Sequence, residues 1–157
     1  MINYYSENTK IGEITIFEEN NAITRVCLPN SQVSIIGCQR AKTPVIIEAF
    51  KQLTEYLDSK RNSFSLPLNP KGTPFQMKVW AELAKIPYGK PISYKDIATA
   101  IGNPKACRAV GMANNKNPIP IFIPCHRVIG KNGMLVGFAG GLDCKKALLK
   151  IELLNDL

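Results

Sequence analysis

The chain of 157 residues has a single histidine and five cysteines, none of them in a Cys-x-x-Cys spacing. One imidazole cannot build a histidine-rich metal site, and isolated cysteines do not supply the paired ligands of a zinc site. An odd number of irregularly spaced cysteines also argues against a disulfide framework. We therefore expect reduced thiols, no metal and no cofactor.

Long apolar runs are also absent. No segment approaches the ~18 consecutive apolar residues of a membrane-spanning helix. The first six residues, Met1 to Ser6, lack the basic and apolar regions of a signal peptide. These absences predict a cytoplasmic protein with no membrane partner. The hydrophobic content of 45% is enough to form a buried core in one domain or two small ones.

Acidic residues are scarce in the second half of the chain. Residues 1–70 carry seven Lys/Arg and seven Asp/Glu, whereas residues 71–157 carry thirteen and five, so the second half holds the whole net charge of +8. This asymmetry favours a polyanionic partner such as nucleic acid. A basic surface that serves only solubility is the alternative that charge leaves open.

The first part of the chain, residues 1–70, has the pattern of a small αβ domain. Apolar and β-branched residues predict strands around 14–17 and 23–28. Helical spacing of apolar residues predicts a helix over 44–57. The polar segment 58–73 contains proline and glycine and is interpreted as a linker.

The second part, residues 71–157, is dominated by helix signals. A capping box at Thr73 marks the first helix start, and Ser93 caps a second one. Asn132-Gly133 predicts a tight hairpin between 128–129 and 135–136, which would form a wing. Two short helices joined by a tight turn are typical of a helix-turn-helix. The predicted helices cover residues 74–85, 94–101, 103–114 and 142–154.

The candidate chemistry lies in the run Ile123-Pro124-Cys125-His126-Arg127-Val128. A thiol with a free pKa of ~8.5 is mostly protonated at neutral pH and needs a base or a positive environment. Cys125, His126 and Glu152 supply the minimum parts, and we expect the last two to lower the pKa of the thiol. Residues adjacent in sequence do not face each other in a helix, so the pair needs a turn or a bridging water. A buried, inert cysteine is the alternative.

Four segments of the chain are Arg108-Ala109-Val110-Gly111, Asn117 to Val128, Ile92-Ser93-Tyr94 and Gly140-Gly141. Together they resemble the O6-alkylguanine-DNA alkyltransferases (methylated-DNA–protein-cysteine methyltransferases). The likeness extends from about Phe75 to Glu152 with matching spacing. It implies an α+β fold, in which a ribonuclease-H-like αβ domain precedes a helical winged helix-turn-helix domain. It also implies single-turnover DNA repair, in which an alkyl group moves from O6 of a flipped guanine to the protein, with O4-alkylthymine as a further substrate.

The resemblance assigns the catalytic roles. Cys125 is the alkyl acceptor, His126 the base that takes its proton through a water, and Glu152 the carboxylate that orients the imidazole. Asn117 ties the turn that holds Cys125. Tyr94 contacts the guanine and helps to protonate the leaving base.

Four residues correspond to the pocket for the base: Pro120, Val128, Phe138 and Ala139. The backbone of Cys125 and Val128 would receive the guanine amino group, and the Ala139 amide would face O6. Phe138 stands where many relatives have tyrosine, so it offers only an aromatic wall. Val136 stands where some relatives have glycine, which would narrow the alkyl pocket.

The implied partner is double-stranded DNA containing O6-alkylguanine, bound by a monomer through the minor groove. Arg108 would fill the space left by the flipped base, and small residues on the same helix would allow close approach. The implied DNA-binding residues are Ser93, Tyr94, Arg108, Ala109, Gly111 and Ala113.

Two other classes of function remain open at this point: a pure DNA-binding module, such as a regulator or a damage sensor, and a cysteine hydrolase. The presence of Cys125 argues against a sensor that lacks the acceptor, and the basic helix-turn-helix argues against a hydrolase. Cys107 is the alternative nucleophile but has no suitable basic partner. Arg127, inside an apolar motif, is predicted to form an internal ion pair between the domains.

Overall fold

The computed structural model describes residues 1–130, 138 and 141–154. The first part of the chain forms a four-stranded sheet in the order β3-β2-β1-β4. The strands are β1 (Ile2–Thr9), β2 (Gly12–Glu19), β3 (Ala22–Cys27) and β4 (Cys38–Arg40). The first three are antiparallel neighbours, whereas β4 runs parallel to β1. Asn20 and Asn21, both with positive φ, make the tight turn between β2 and β3. The two predicted strands are confirmed, and β1 and β4 were not predicted.

One helix, α1 (Pro44–Leu57), packs on this sheet. Its boundaries agree with the prediction, because Thr43 caps the Ile46 amide and Pro44 suits the first turn. Its buried face is apolar except for Gln52 and Tyr56. Gln52 is satisfied by Ser65 and Glu48, whereas the Tyr56 hydroxyl points into the second part of the chain.

The segment over residues 58–73, interpreted as a linker, is more structured than its composition indicates. It runs beside the outer edge of β3, where the Ile23 amide donates to Pro67 O and the Asn69 amide donates to Ile23 O, both at 2.8 Å. Phe64 packs edge-on against Phe122, with ring centroids 4.7 Å apart. The segment therefore ties the sheet to the helical part and covers an exposed strand edge.

The second part contains four α-helices: α2 (Pro74–Leu83), α3 (Tyr94–Ala100), α4 (Cys107–Asn115) and α5 (Leu142–Leu154). The capping box predicted at Thr73 is formed, and the cap predicted at Ser93 is formed too, as a second capping box with Asp96. The third helix starts at Cys107 rather than at residue 103. The Ala106 amide bonds back to Asn103 O and closes a separate turn first, so the prediction of its start is wrong.

Two short strands, β5 (Ile92–Ser93) and β6 (Val128–Ile129), pair in parallel. The first arm of the predicted hairpin thus lies against the start of α3. The Asn132-Gly133 turn and the second arm lie outside the described residues. This pairing places Val128, next to the Cys-His-Arg run, opposite Ile92, and Ile129 opposite Ser93 at the start of α3.

A continuous apolar cluster links the sheet, α1 and the helices, from Ile14 to Leu148. Inside it, the Trp80 indole donates to Ala113 O at 2.9 Å and fixes α2 against α4. The predicted α+β class is confirmed. Within the described ranges, no helix combines the length and apolar character needed to cross a bilayer.

Candidate active site

The loop between α4 and Cys125 is held by one side chain. Asn117 donates through Nδ2 to Ile123 O at 2.8 Å, and its Oδ1 accepts the Ile119 amide at 3.0 Å. Between these anchors Ile121 has a φ of 75°, a conformation that a β-branched residue rarely adopts. The loop is thus fixed in a strained shape that delivers Cys125 at a defined position.

Cys125 begins a single turn of 3-10 helix (Cys125–Arg127) and is buried. Its amide bonds to Ile123 O at 2.8 Å, and the Val128 amide bonds back to Cys125 O. This tight turn is the local structure that an adjacent Cys-His pair was expected to need, because neighbours in sequence do not face each other in a helix.

Glu152, on α5, is the hub of the buried polar network. Its Oε1 accepts the Arg127 guanidinium Nε at 2.8 Å and the Gly89 amide at 3.0 Å. Its Oε2 meets His126 Nε2 at 2.5 Å and accepts the Tyr56 hydroxyl. Burial alone would raise the pKa of Glu152, but these partners lower it to about 2. The carboxylate is therefore an anion at any physiological pH.

An anionic Glu152 fixes the tautomer of His126. A carboxylate only accepts hydrogen bonds, so the proton of the neutral ring lies on Nε2. Burial lowers the pKa of His126, against the opposing effect of Glu152, which keeps the resting ring neutral. The other nitrogen, Nδ1, is buried and has no hydrogen-bond partner among the described residues. Its lone pair is the one available to accept a proton.

The Cys125 thiol is protonated in the resting site. Burial raises its pKa to about 11, although Asn117 and Lys145 act to lower it. The expected lowering of the Cys125 pKa is therefore wrong for the resting protein, and the groups that oppose burial are Asn117 and Lys145 rather than His126 and Glu152. The reason is desolvation. A thiolate in an apolar pocket loses more hydration free energy than the neighbouring polar and charged groups restore by stabilising it.

Lys145 is a fully buried cation close to this thiol. Its Nζ donates to Val128 O at 2.6 Å and lies 6.0 Å from the Tyr94 ring centroid. Burial lowers the pKa of Lys145, whereas the Cys125 charge would raise it. A thiolate forming at Cys125 would gain from this positive charge.

The predicted pocket residues that the structure describes are all at least partly buried. Tyr94 is half-buried, and burial and the Cys125 charge both raise its pKa. Val128 and Pro120 are buried, and Phe138 is half-buried against the core. Ala139 and Val136 lie outside the described residues.

The predicted DNA-binding helix, α4, exposes Arg108, Ala109 and Met112. A Cβ added at Gly111 would meet only the Tyr94 ring, at 3.9 Å, so internal packing does not demand a glycine there. Ala113 differs from the prediction: it is 3% exposed and faces the core, so its side chain cannot contact DNA directly.

Ser93 is engaged as the cap of α3, where its Oγ accepts the Asp96 amide at 3.1 Å. A hydroxyl that accepts one hydrogen bond can still donate another, so the cap does not remove its capacity for a phosphate contact. Tyr94 follows it directly and turns its ring toward Gly111. The two residues thus connect the α4 surface to the thiol pocket.

Arg127 forms the predicted internal ion pair, but not between the two parts of the chain. Its Nε pairs with Glu152, and its Nη1 donates to Ile86 O at 2.7 Å; both partners lie in the second part. The contact from the first part comes instead from Tyr56, which the sequence analysis missed. A tyrosine on the buried face of an amphipathic helix, whose hydroxyl must find a partner, was the available signal.

Lys145 and Asn114 were missed as well. Asn114 is buried, and its Nδ2 lies 3.4 Å from Cys125 O. Its Oδ1 has no partner among the described residues. For both residues the sequence gives little signal, because a polar residue on a helix is ordinarily solvated.

Comparison with known proteins agrees with this architecture. A family profile described as "6-O-methylguanine DNA methyltransferase, ribonuclease-like domain" matches residues 2–70, and one described as "6-O-methylguanine DNA methyltransferase, DNA binding domain" matches residues 74–154. The constitutive methylated-DNA–protein-cysteine methyltransferase of Bacillus subtilis is 50% identical over 158 residues, covering 96% of each chain.

Solved structures show the same relationship. The O6-methylguanine methyltransferase of Mycobacterium tuberculosis superposes with a TM-score of 0.93 at 36% identity, over 100% of this chain and 96% of that one. The Mycobacterium tuberculosis protein OGT, crystallised in complex with DNA, superposes with a TM-score of 0.91 at 39% identity, over 98% and 94% of the two chains. The chain therefore belongs to the 6-O-methylguanine DNA methyltransferase family, as its motifs predicted.

Proposed function

We propose that this protein repairs O6-alkylguanine in duplex DNA by moving the alkyl group to its own Cys125. The observation that carries the proposal is the buried Cys125–His126–Glu152 arrangement, in which the carboxylate fixes the imidazole and leaves Nδ1 free to accept a proton. A hydrolase would not need the strong positive charge of residues 71–157. The names of the relatives, which describe methylated-DNA–protein-cysteine methyltransferases, support the same activity.

The chemical step is a displacement at the alkyl carbon. The thiol proton passes to His126 Nδ1, directly or through one water, while the sulfur attacks the carbon attached to O6. The new S–C bond forms as the C–O6 bond breaks, and its electron pair stays on the guanine. Tyr94 then supplies a proton to the departing base and regains one, by way of solvent, from the proton that His126 accepted. The positive charge of Lys145 stabilises sulfur as it ionises.

The resting protonation state suits a reagent that acts once. A buried, protonated thiol is a weak nucleophile and is protected from chance electrophiles. It becomes reactive only when a bound base holds the alkyl carbon against sulfur, since orientation then replaces a bimolecular encounter. The thioether product is stable to hydrolysis under physiological conditions, so each molecule reacts once.

DNA binding is assigned to α4 and the start of α3. Arg108 and Ala109 are exposed on α4, and Gly111 gives the backbone room to approach a groove. We infer minor-groove binding, with Arg108 filling the gap left by the flipped base. The protein would work as a monomer in the cytoplasm, where a reducing environment keeps its five cysteines free.

Mass spectrometry tests the proposal. After incubation with duplex O6-methylguanine DNA, the intact protein should gain one methyl group, and peptide mapping should place it on Cys125. Cys125→Ser should gain none, whereas Cys107→Ser, a matched control at a half-buried cysteine, should react like the wild type. A methyl group on Cys107, or several turnovers by one molecule, contradicts the proposal.

A further inference from the structure

We propose that Tyr56, which the N-terminal αβ part contributes, is a positioning residue of the active site. Its hydroxyl holds the Glu152 carboxylate in the orientation that fixes the His126 tautomer, and it tunes the strength of His126 as a base. This inference rests on the proposed function, because it deepens the role of the same site. It also makes the first 70 residues part of the chemistry rather than a mere accessory.

The geometry is specific to the hydroxyl. Tyr56 is 0% exposed, and its hydroxyl donates to Glu152 Oε2, the oxygen that His126 Nε2 also contacts. The same hydroxyl lies 3.3 Å from His126 Nε2, so it contacts both members of the pair. No other side chain of the first part has a hydrogen bond to this carboxylate among the described contacts.

The ring of Tyr56 is held independently of its hydroxyl. It packs against Phe64 with ring centroids 5.3 Å apart, and edge-on against Tyr88 at 6.2 Å. A phenylalanine at position 56 would keep these contacts. Burying a phenol without a partner is unfavourable, so the choice of tyrosine here is explained by the bond to Glu152 rather than by packing.

The hydroxyl changes the charge that His126 experiences. A donor to Oε2 draws negative charge from the carboxylate and lowers the pKa of Glu152. A carboxylate stabilised in this way attracts a proton on the imidazole less strongly. Without the hydroxyl, the carboxylate should hold the imidazolium more tightly, and the pKa of His126 should rise.

Other charged and titratable groups around the pair stay in place when the hydroxyl is removed. They are Arg127 and Cys125 on the turn, Lys145 on α5, and Tyr88 after α2. The two cations both lower the pKa of His126. A shift in Tyr56→Phe is therefore attributable to the missing donor.

The single histidine of the chain makes the test direct, because ¹⁵N NMR of the imidazole reports His126 alone. In the wild type we expect the Nε2–H tautomer. In Tyr56→Phe we expect a higher His126 pKa and an unchanged DNA affinity. The transfer rate should fall by roughly 10-fold, the effect of losing one hydrogen bond to a charged group, because the carboxylate is no longer held in place and more of the imidazole is already protonated and cannot accept the thiol proton.

Two control variants separate the effect of the Tyr56 hydroxyl from the effect of packing on the Tyr56 ring. Phe64→Leu weakens the packing on the Tyr56 ring but keeps the hydroxyl, so it should lower the melting temperature without moving the imidazole shifts. Tyr5→Phe removes a hydroxyl from the distant β1 strand and should change neither the melting temperature nor the imidazole shifts. If Tyr56→Phe fails to fold, 3-fluorotyrosine at position 56, a stronger donor, should move the His126 pKa downward.

The outcomes distinguish this inference from the proposed function. If the wild type transfers methyl to Cys125 while Tyr56→Phe has the same rate and the same imidazole titration, the role of Tyr56 is refuted and the repair function stands. Equal effects in Phe64→Leu and Tyr56→Phe would also refute it, because packing alone would explain them. No transfer in the wild type would refute the proposed function. The NMR comparison of wild type and Tyr56→Phe would still show whether the Tyr56 hydroxyl affects the titration of His126.

Discussion

Replacing Glu152 by glutamine should invert the tautomer of His126. Glutamine has one acceptor and one donor where the carboxylate has two acceptors. At the Oε1 position the amide NH₂ would oppose Arg127 Nε and the Gly89 amide, which can only donate. At the Oε2 position it would face His126 and Tyr56, whose protons can rearrange. The NH₂ should therefore take the Oε2 position, and the ring proton should move to Nδ1.

This inversion removes the base. With Nδ1 protonated, His126 no longer has a free lone pair to accept the thiol proton, and the carboxylate charge that would stabilise an imidazolium is gone. General-base catalysis contributes roughly 10²–10⁴-fold, so we expect transfer to slow by about that factor. Arg127 would also lose its buried counter-ion, which should lower the free energy of unfolding by about 3 kcal/mol.

Single-turnover transfer from duplex O6-methylguanine, DNA affinity and ¹⁵N NMR of the sole histidine measure these effects separately. DNA affinity should stay close to the wild-type value, because Glu152 is buried away from the α4 surface. Glu82→Gln, a partly exposed glutamate paired with Lys85, is the matched control and should change none of them. A wild-type rate, or an Nε2–H ring in Glu152→Gln, would refute the assigned role of Glu152.

Three further predictions concern DNA and pH. Arg108→Ala should slow repair of duplex DNA far more than reaction with the free base O6-benzylguanine, because a free base needs no flipping. This comparison requires that the pocket admits O6-benzylguanine. Equal losses of rate on the two substrates would refute the role of Arg108 in filling the gap left by the flipped base. The logarithm of DNA affinity should fall with the logarithm of salt concentration by about 0.9 per phosphate neutralised, and a flat dependence would favour another partner. In denaturation experiments, stability should fall with acidification from two sources. First, burial lowers the pKa of His126 in the folded protein, so below about pH 6.5 the imidazole takes up a proton in the unfolded chain before it does so in the folded one, which favours unfolding. Second, the stabilising contribution of the Glu152 carboxylate is lost as the pH falls from 4.5 toward its folded pKa of about 2. Constant stability between about pH 7 and about pH 4 would contradict this reading.

Local signals in the sequence predicted most of the secondary structure. The helix over 44–57 and the capping boxes at Thr73 and Ser93 depend on residues within one turn, so pattern and propensity were sufficient. The start of α4 was placed too early, because Asn103-Pro104 closes a separate turn before the helix begins. Strand β4 was missed because a strand of three residues has too little periodicity to detect.

Some features of the active site were likewise identified from the sequence, and others were not. The motif around Cys125 and the distant Glu152 were identified by resemblance, and the structure brings them together. Ala113 was wrongly assigned to the DNA face, because only its burial in the packed structure shows that its side chain points inward. The pKa of Cys125 was expected to fall, because a residue pattern shows the nearby base but not the loss of solvent.

The sequence by itself determined the family, the α+β class, the basic half of the chain and the identity of the acceptor motif, because each is written in short runs or in composition. Only the tertiary structure decided which atoms meet. Contacts such as Tyr56 to Glu152 and Lys145 to Val128 join residues 96 and 17 positions apart, and no local pattern encodes them. The protonation states of Cys125, His126 and Glu152 depend on those contacts and on burial, because both the hydration lost and the partners gained are set by the packed fold.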